Sequence, residues 1–329
     1  MYNLDIKDKK ILTELDFNAR QSNNEIGKKA GLSKEVVNYR INRLMREGIL
    51  VKFYTVINYA RLGIIKYKVY LQLSNVTAEK TEEICQYLKS RKTSEWLVRT
   101  TGKWDIIVGF LLHNVNELDD EILELTNKYS SFIRTRAITT TLHLVHHLRE
   151  YLGSKKQYVT KSIVYHTSKD KQEQIDTMDY ELLRLLANNA RLPITEIARR
   201  LKTTARIIQY RMQQLEKKEL ILGYKCHLDP SAMGKIFCKG IFAISTATQS
   251  RLQQLMNYTS SIPESVWPQR VIGNWDFELD IEVENYDSSQ AILIDIRNRF
   301  SDIIINTEFC ITSKEYKFDL FPDAYPTFK

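Results

Sequence analysis

The segment that decides the fold of this chain is Leu4-Asp5-Ile6-Lys7-Asp8, because it returns 171 residues later as Ile175-Asp176-Thr177-Met178-Asp179. The register of the repeat still holds much further on, where Trp104-Asp105 matches Trp275-Asp276. No insertion or deletion is needed across roughly 130 residues, which is the signature of an internal duplication. The sequence therefore predicts two tandem copies of one unit, so that one polypeptide supplies what a homodimer assembles from two chains.

The composition is typical of a globular protein of the cytosol. The 329 residues are 43% hydrophobic and 27% charged, and such a length allows roughly two to four domains. The longest apolar run, Ile106 to Leu112, is too short to cross a bilayer, and the first residues have no apolar stretch of signal-peptide type. The four cysteines form no Cys-x-x-Cys pair and are expected to be free, mostly buried thiols in a reducing compartment. They are Cys85, Cys226, Cys238 and Cys310. A cytoplasmic location without a membrane partner is therefore expected.

The charge balance favours a polyanionic partner. Lysine and arginine exceed aspartate and glutamate by a net charge of +8. Such an excess suits nucleic acid, because basic side chains displace condensed counterions from phosphates. Charge alone also fits an ordinary basic protein, so the motifs must decide between the two.

The beginning of each unit has the pattern of three short helices. In the first unit, residues 5–19 carry apolar side chains at a spacing of four, and a capping box begins at Ser22. Gly31 stands where a tight turn needs a positive φ, and a third helix starts at Ser33 and ends before Gly48. This order predicts a helix-turn-helix, whose last helix enters a DNA major groove. A small helical bundle with a solvated polar face is the alternative, and the occurrence of the pattern in both repeats argues against it.

The outward face of the third helix carries polar and basic side chains that suit a major groove about 12 Å wide. In the first unit the predicted DNA-binding residues are Ser33, Lys34, Glu35, Asn38, Tyr39, Asn42, Arg43 and Arg46. In the second unit they are Thr204, Arg206, Gln209, Tyr210, Gln213 and Lys217. Glu35 accepts from cytosine whereas its counterpart Arg206 donates to guanine or phosphate, so two non-identical half-sites are predicted. The alternative is that the second copy has decayed and only packs or touches the DNA backbone.

The rest of each unit has the order strand, helix, strand, strand, helix, strand. In the first unit Lys66 to Leu73 alternates apolar and polar residues, and Gly102-Lys103 separates two strands as a hairpin turn. This order predicts a ferredoxin-like βαββαβ sheet with helices on one face, whose bare face the other copy must cover. Residues 153–174 are polar and lysine-rich, which predicts a linker between the units. The predicted helix-turn-helix domains are 1–60 and 175–231, and the predicted sheet domains are 61–152 and 232–329.

Taken together, these motifs resemble those of the Lrp/AsnC (feast/famine) family of transcription regulators. The resemblance rests on Leu4-Asp5-Ile6-Lys7-Asp8, Asn18-Ala19-Arg20, Leu32-Ser33, Tyr39-Arg40-Ile41, Leu44, Gly48-Ile49, Leu62-Gly63 and the Gly-x-Trp-Asp stretch. It is looser in the second unit, where Lys202 and Glu219 replace the turn glycines. The resemblance implies an α+β fold of two tandem units, each a winged helix-turn-helix domain followed by a ferredoxin-like ligand and assembly domain. Family members normally carry one unit, so the fusion departs from the pattern and from its usual octamer.

The family resemblance implies a sequence-specific DNA-binding transcription regulator that acts as a covalent pseudo-dimer on double-stranded DNA. Further assembly of such pseudo-dimers into homo-oligomers is an alternative that the sequence leaves open. Small effectors, commonly amino acids, bind in the family near the Gly-x-Trp-Asp hairpin at the interface between sheets. Here that region corresponds to Gly102, Trp104, Asp105, Gly273, Trp275 and Asp276. Their carboxylates and turn amides could hold a zwitterion, or the bulky tryptophans could fill the pocket themselves. No cofactor is expected.

Two further interpretations compete with DNA binding. Siroheme decarboxylases are similar in architecture to the family, but they use histidines near the second and third strands, and Trp96 to Asp105 contains none. The second competing interpretation is a metabolite sensor that does not bind DNA. The sequence contains no nucleophile elbow, phosphate loop or paired-carboxylate signature, so no enzyme is predicted. His143, His146 and His147 are predicted to be surface histidines rather than metal ligands.

Overall fold

The computed structural model describes residues 4–153, the strand at residues 163–166, and residues 172–321. The first unit begins with the three predicted helices and a strand. These elements are α1 (Ile6–Phe17), α2 (Asn23–Ala30), α3 (Lys34–Arg46) and β1 (Leu50–Ile57). The predicted capping box is present, because Ser22 and Glu25 accept hydrogen bonds from each other's backbone N–H. Gly31 ends α2 in the left-handed conformation, with φ of 67°.

The first unit continues as the predicted βαββαβ domain. Its elements are β2 (Ile65–Leu73), α4 (Ala78–Ser90), β3 (Ser94–Gly102), β4 (Ile106–Leu112), α5 (Val115–Tyr129) and β5 (Ile133–His146). The spatial order of the strands is β5-β2-β4-β3, as in a ferredoxin-like sheet. Part of the predicted linker forms a short strand, β6 (Ile163–His166), on the free end of β5. The linker residues 154–162 and 167–171 lie outside the described residues.

The second unit repeats this architecture. Its elements are α6 (Thr177–Ala187), α7 (Ile194–Arg200), α8 (Ala205–Lys217), β7 (Ile221–Leu228), β8 (Ile236–Ile244), α9 (Gln249–Ser260), β9 (Ser265–Gly273), β10 (Phe277–Val283), α10 (Tyr286–Arg299) and β11 (Ile304–Phe318). Lys202 (φ 51°) and Glu219 (φ 53°) adopt the left-handed conformation of the two glycines they replace. The turns therefore survive the loss of glycine, at a cost of about 1 kcal/mol each.

The two sheets close into one ring of eight strands. Its order is β2-β4-β3-β11-β8-β10-β9-β5, and β5 returns to β2. The units meet at two equivalent joints, where Gly102 pairs with Cys310 and Gly273 pairs with Thr139. A Cβ on Gly102 would lie 2.6 Å from the carbonyl oxygen of Phe309, so the strands approach too closely for any other residue. The prediction that each copy covers the bare face of the other is confirmed.

The strands that follow the helix-turn-helix segments also pair across the two units. β1 and β7 form an antiparallel two-stranded sheet in which Tyr54 lies opposite Lys225. Backbone N–H groups of Ala19 and Ala190 donate to the carbonyls of Tyr224 and Phe53, at 2.9 and 3.1 Å. Each helix-turn-helix therefore docks on the other unit's strand, and the buried side chains of both form one continuous hydrophobic core.

The cysteines and the helix lengths bear on two expectations from the composition. All four cysteines are free and buried, as predicted. None of the helices in the described ranges combines the length and the apolar character needed to cross a membrane.

Candidate nucleic-acid interface

The outward face of α3 is open to solvent, while Val37, Ile41 and Leu44 on the opposite face are buried. Of the eight side chains predicted to contact DNA in the first unit, all but Arg43 are exposed. The exposed ones are Ser33, Lys34, Glu35, Asn38, Tyr39, Asn42 and Arg46. The Ser33 hydroxyl accepts from the N–H of Val36, so it caps the helix as well as facing outwards.

Arg43 is engaged within the domain rather than fully presented to solvent. Its Nη2 lies 2.7 Å from Oδ1 of Asp8, a carboxylate that is 1% exposed. Arg40 donates to the same carboxylate at 2.8 Å and to Asp5 at 2.7 Å. The two aspartates of the opening Leu-Asp-x-x-Asp motif therefore anchor α3 to α1. Sequence reasoning could not assign this role, because an outward arginine on a helix suits phosphate and carboxylate equally.

The face of α8 that is predicted to contact DNA is exposed in full. Its predicted contact residues Thr204, Arg206, Gln209, Tyr210, Gln213 and Lys217 all face solvent. The basic residues on α7 are partly neutralised within that helix, since Arg199 and Arg200 both donate to Glu196. These hydrogen bonds lower the pKa of Glu196 to about 2. On α8, Arg211 is half-buried and pairs with Asp176 and Asp179, so Arg206 and Lys217 are the exposed cations of that helix.

A reciprocal arginine clasp holds the two helix-turn-helix segments together. Arg20 Nη1 donates to the carbonyl oxygen of Ala190 at 2.5 Å, and Arg191 Nη1 donates to the carbonyl oxygen of Ala19 at 2.8 Å. The Arg20 guanidinium lies over the Tyr224 ring, 5.4 Å from its centroid. Each Asn-Ala-Arg motif thus binds its own copy in the other unit, which fixes the relative position of α3 and α8.

Of the six residues predicted to bind an effector, Trp104 and Trp275 are enclosed by the eight-stranded ring, whereas Gly102 and Gly273 are exposed and Asp105 and Asp276 are half-buried. Trp104 and Trp275 are 3% and 5% exposed, and their ring centroids are 5.9 Å apart. The Asp105 and Asp276 carboxylates accept backbone N–H groups at 2.7 and 2.8 Å. The indoles fill the space between the sheets, which is the alternative that the sequence left open. The hairpin carboxylates are likewise used to hold neighbouring strands.

A small cavity lies elsewhere, where the end of β1 meets the ring. Its walls are Val56, Ile57, Tyr59, Lys66, Lys68, Glu95, Trp96, Leu144, His146, Trp267, Gln269, Asp280, Phe318 and Leu320. The prediction of surface histidines is wrong for His146 and His147, which are buried because the second unit packs against the end of β5. Trp267 Nε1 donates to His146 Nδ1 at 3.2 Å. Burial lowers the pKa of His146 well below its ordinary value. Among the described residues, no group of three or more metal-ligating side chains is placed to hold a metal ion.

The centre of the ring contains buried charges that the sequence did not reveal. Lys239 Nζ lies 2.9 Å from Asp280 Oδ2 and 3.3 Å from Glu278 Oε2, and Lys68 donates to both Glu278 and Gln269. All five side chains are at most 4% exposed. Alternation along the strands predicts which residues share a face, but it does not tell a solvated face from one covered by a second sheet.

Two family models match the helix-turn-helix segments. Residues 4–51 match a winged helix-turn-helix DNA-binding model, and residues 175–216 match an AsnC-type helix-turn-helix domain. The chain is 34% identical over 122 residues to the HTH-type transcriptional regulator Ptr1 of Methanocaldococcus jannaschii, covering 37% of this chain and 80% of that protein. It is 30% identical over 120 residues to the proline dehydrogenase transcriptional activator of Rhodobacter capsulatus, covering 36% of this chain and 78% of that protein.

The complete tandem architecture also occurs among solved structures. The crystal structure of the siroheme decarboxylase NirDL superposes with a TM-score of 0.64, covering 97% of this chain and 94% of that one. The sequence identity over this match is 10%, so the likeness concerns the fold alone. A shared fold does not establish a shared function.

Proposed function

Since the chain belongs to the Lrp/AsnC family of transcription regulators, we propose that it binds double-stranded DNA sequence-specifically as a covalent pseudo-dimer. The observation that carries the proposal is the pair of recognition helices, α3 and α8, held in one body with their polar faces open to solvent. Such helices enter successive major grooves about 34 Å apart. The net charge of +8 favours the same partner.

The two faces divide into residues that read bases and residues that contact phosphates. Side-chain amides suit base edges. On α3 they belong to Asn38 and Asn42, and on α8 to Gln209 and Gln213. Arg46 and Lys217, near the ends of their helices, suit phosphates and position the protein without reading sequence. The proposed contact surface of the first unit also includes Ser33, Lys34 and Tyr39. That of the second unit also includes Thr204 and Tyr210.

The half-sites of the proposed operator differ. Glu35 faces outwards at the position where α8 has Arg206, and these side chains prefer opposite hydrogen-bonding partners. A homodimer must read a palindrome, because its two faces are identical. This chain carries two different faces in a fixed arrangement, so its operator is an asymmetric pair of half-sites.

For a small effector, we propose an amino acid that contacts the hairpins of Gly102, Trp104 and Asp105 and of Gly273, Trp275 and Asp276. Because the two indoles are packed together, such a ligand must displace one of them. Intrinsic tryptophan fluorescence should then change on addition of the amino acid that alters DNA affinity, and Trp104→Phe should reduce the change. A response that depends instead on Trp96, which lines the cavity at the end of β1, would move the effector to that cavity.

The experiment that tests the proposed function is selection of random duplex DNA by the full-length chain, followed by footprinting. The expected result is two different half-sites about ten base pairs apart. A palindrome would contradict the asymmetric pseudo-dimer, since it requires two identical recognition faces. Absence of enrichment would contradict DNA recognition, and a tetrapyrrole colour in the purified protein would favour an enzyme of the NirDL kind.

A further inference from the structure

We infer that Arg191 of the second unit positions Asn38 on the recognition helix of the first unit, through Asn23. This relay makes Asn38 a hydrogen-bond donor towards the DNA. The inference rests on the proposed function, because it concerns which base the first recognition helix prefers. Beyond the proposed function, Arg191 of the second unit then sets the base preference of the first unit.

The relay consists of two hydrogen bonds in series. Arg191 Nη2 donates to Asn23 Oδ1 at 2.7 Å, and Asn23 Nδ2 donates to Asn38 Oδ1 at 3.2 Å. Arg191 is itself held firmly, because its Nη1 donates to the carbonyl oxygens of Ala19 and Gln21 at 2.8 and 3.0 Å. Asn23 begins α2, so its backbone is fixed by the capped first turn of that helix.

The chemistry of the groups determines the direction of each bond. A guanidinium has only donors, so the Asn23 atom that faces Arg191 must be its carbonyl oxygen. The Asn23 amide nitrogen is then left for Asn38, and the Asn38 atom that faces it must in turn be the carbonyl oxygen. The NH₂ group of Asn38 is thereby directed away from Asn23, on the exposed face of α3.

An outward NH₂ group selects among bases. In the major groove guanine offers N7 and O6 as acceptors, and thymine offers O4, whereas cytosine offers only its N4 donor. The first half-site should therefore favour guanine or thymine over cytosine at the base that Asn38 faces. One well-placed hydrogen bond discriminates against the wrong base by about fivefold.

The second unit lacks the relay. The residue that matches Asn23 is Ile194, whose side chain has no polar atom, and the residue that matches Asn38 is Gln209. Arg20, the counterpart of Arg191, donates to the carbonyls of Ala190 and Leu192. The amide of Gln209 is therefore not oriented in this way, and the donor preference is specific to the first half-site.

The decisive variant is Asn23→Asp. The new carboxylate still accepts from Arg191 but cannot donate, so the Asn38 amide should turn and direct its carbonyl oxygen towards the DNA. An acidic residue in the first turn of α2 is compatible with the helix dipole, so folding should be retained. The matched control is Asn24→Asp, which adds the same charge at the next, exposed position outside the relay.

The measurement is selection from random duplex DNA by the full-length protein and by both variants. With Asn23→Asp we expect the preference at one base of the first half-site to invert from guanine or thymine towards cytosine by about fivefold, with the second half-site unchanged. Asn24→Asp should weaken binding overall and keep the original motif. A motif that is the same in Asn23→Asp and Asn24→Asp would overturn the relay while leaving the proposed function intact. No motif with the unaltered chain would overturn the proposed function and the relay with it.

Discussion

Lys68 of the first unit and Glu278 of the second form an ion pair at the centre of the closed ring, with side chains that are 1% and 0% exposed. Burial lowers the pKa of Lys68, and the pKa of Glu278 is lowered by Lys68 and Lys239 although burial opposes it. The residue that matches Glu278 in the first unit is Ile107. Two first units could not form this pair with each other, because Ile107 has no carboxylate at the position of Glu278.

Removing the charge of Glu278 should therefore destabilise the whole chain. Glu278→Gln keeps the shape of the side chain but leaves Lys68 and Lys239 short of a counter-charge, at an expected cost of about 3 kcal/mol in the free energy of unfolding. Urea unfolding at pH 7 measures it, with the exposed Glu284→Gln as control. Adding Lys68→Met to Glu278→Gln should recover part of the loss, and additive losses would contradict the coupling.

The DNA contacts of α3 should fall into two classes, those that read bases and those that bind phosphates without reading sequence. Asn38→Ala should relax the base preference at one position, whereas Arg46→Ala should weaken binding to cognate and random DNA alike. The slope of log affinity against log salt should become shallower by about 0.9 in Arg46→Ala, as for one lost phosphate contact. Titrations of cognate and random DNA with each variant at several salt concentrations test this assignment of roles. Equal losses of affinity for cognate and random DNA in both variants would contradict it.

The arginine clasp should control the spacing of the two recognition helices. Arg20→Ala removes charge-assisted hydrogen bonds to the carbonyls of Ala190 and Leu192, at a cost of about 2 kcal/mol. We expect a larger loss of affinity for DNA with both half-sites than for DNA with one. The control is Arg297→Ala, which removes an exposed arginine on α10. Equal losses on both DNA substrates would mean that the clasp does not set the spacing.

Stability should fall as the pH is lowered below neutrality. Burial lowers the pKa of His147 to about 4, so between about pH 6.5 and 4 the unfolded chain binds a proton that the folded chain does not. The expected loss between pH 7 and pH 5 is about 2 kcal/mol for this residue. His147→Gln should shrink the difference between urea midpoints at pH 7 and pH 5. Asn298→Gln, at an exposed site without a titratable group, should leave it unchanged, and an equal fall in both variants would contradict the assignment.

The joints of the ring should not tolerate a side chain. Gly273 has φ of 142°, and a Cβ there would lie 2.2 Å from the carbonyl oxygen of Ile138. Gly273→Ala must separate β9 from β5 and is expected to cost more than about 2 kcal/mol. Gly48→Ala is the control, because it has a positive φ but nothing within 4 Å of the added Cβ. Thermal unfolding of both variants separates steric conflict from backbone strain, and equal losses would contradict the role of the joint.

The repeat and the local signals of the helix termini were sufficient to predict the architecture. Ser22 and Glu25 form a capping box through contacts within one turn, so their spacing alone identifies the helix start. The outward face of α3 follows from a period of 3.6 residues in the same way. The Gly-x-Trp-Asp stretch was located correctly as a hairpin, and the structure adds a strand joint at its glycine.

Contacts between distant segments could not be predicted in this way. Arg43 is outward on its own helix, and only the packing of α1 brings Asp8 within 2.7 Å of it. His146 and His147 are polar residues at the end of a strand, and they are buried because the second unit covers them. Side-chain periodicity is a property of one element, whereas burial depends on what that element meets.

The sequence by itself thus determined the duplication, the order of elements and the residues on each recognition face, because these depend on local spacing and on the repeated register. Only the tertiary structure decided that the sheets close into a ring, that Arg20 and Arg191 clasp the two helix-turn-helix segments, and that Arg191 reaches Asn38 through Asn23. These contacts join residues far apart in the chain. Their geometry follows from how the two units pack, which no local pattern encodes.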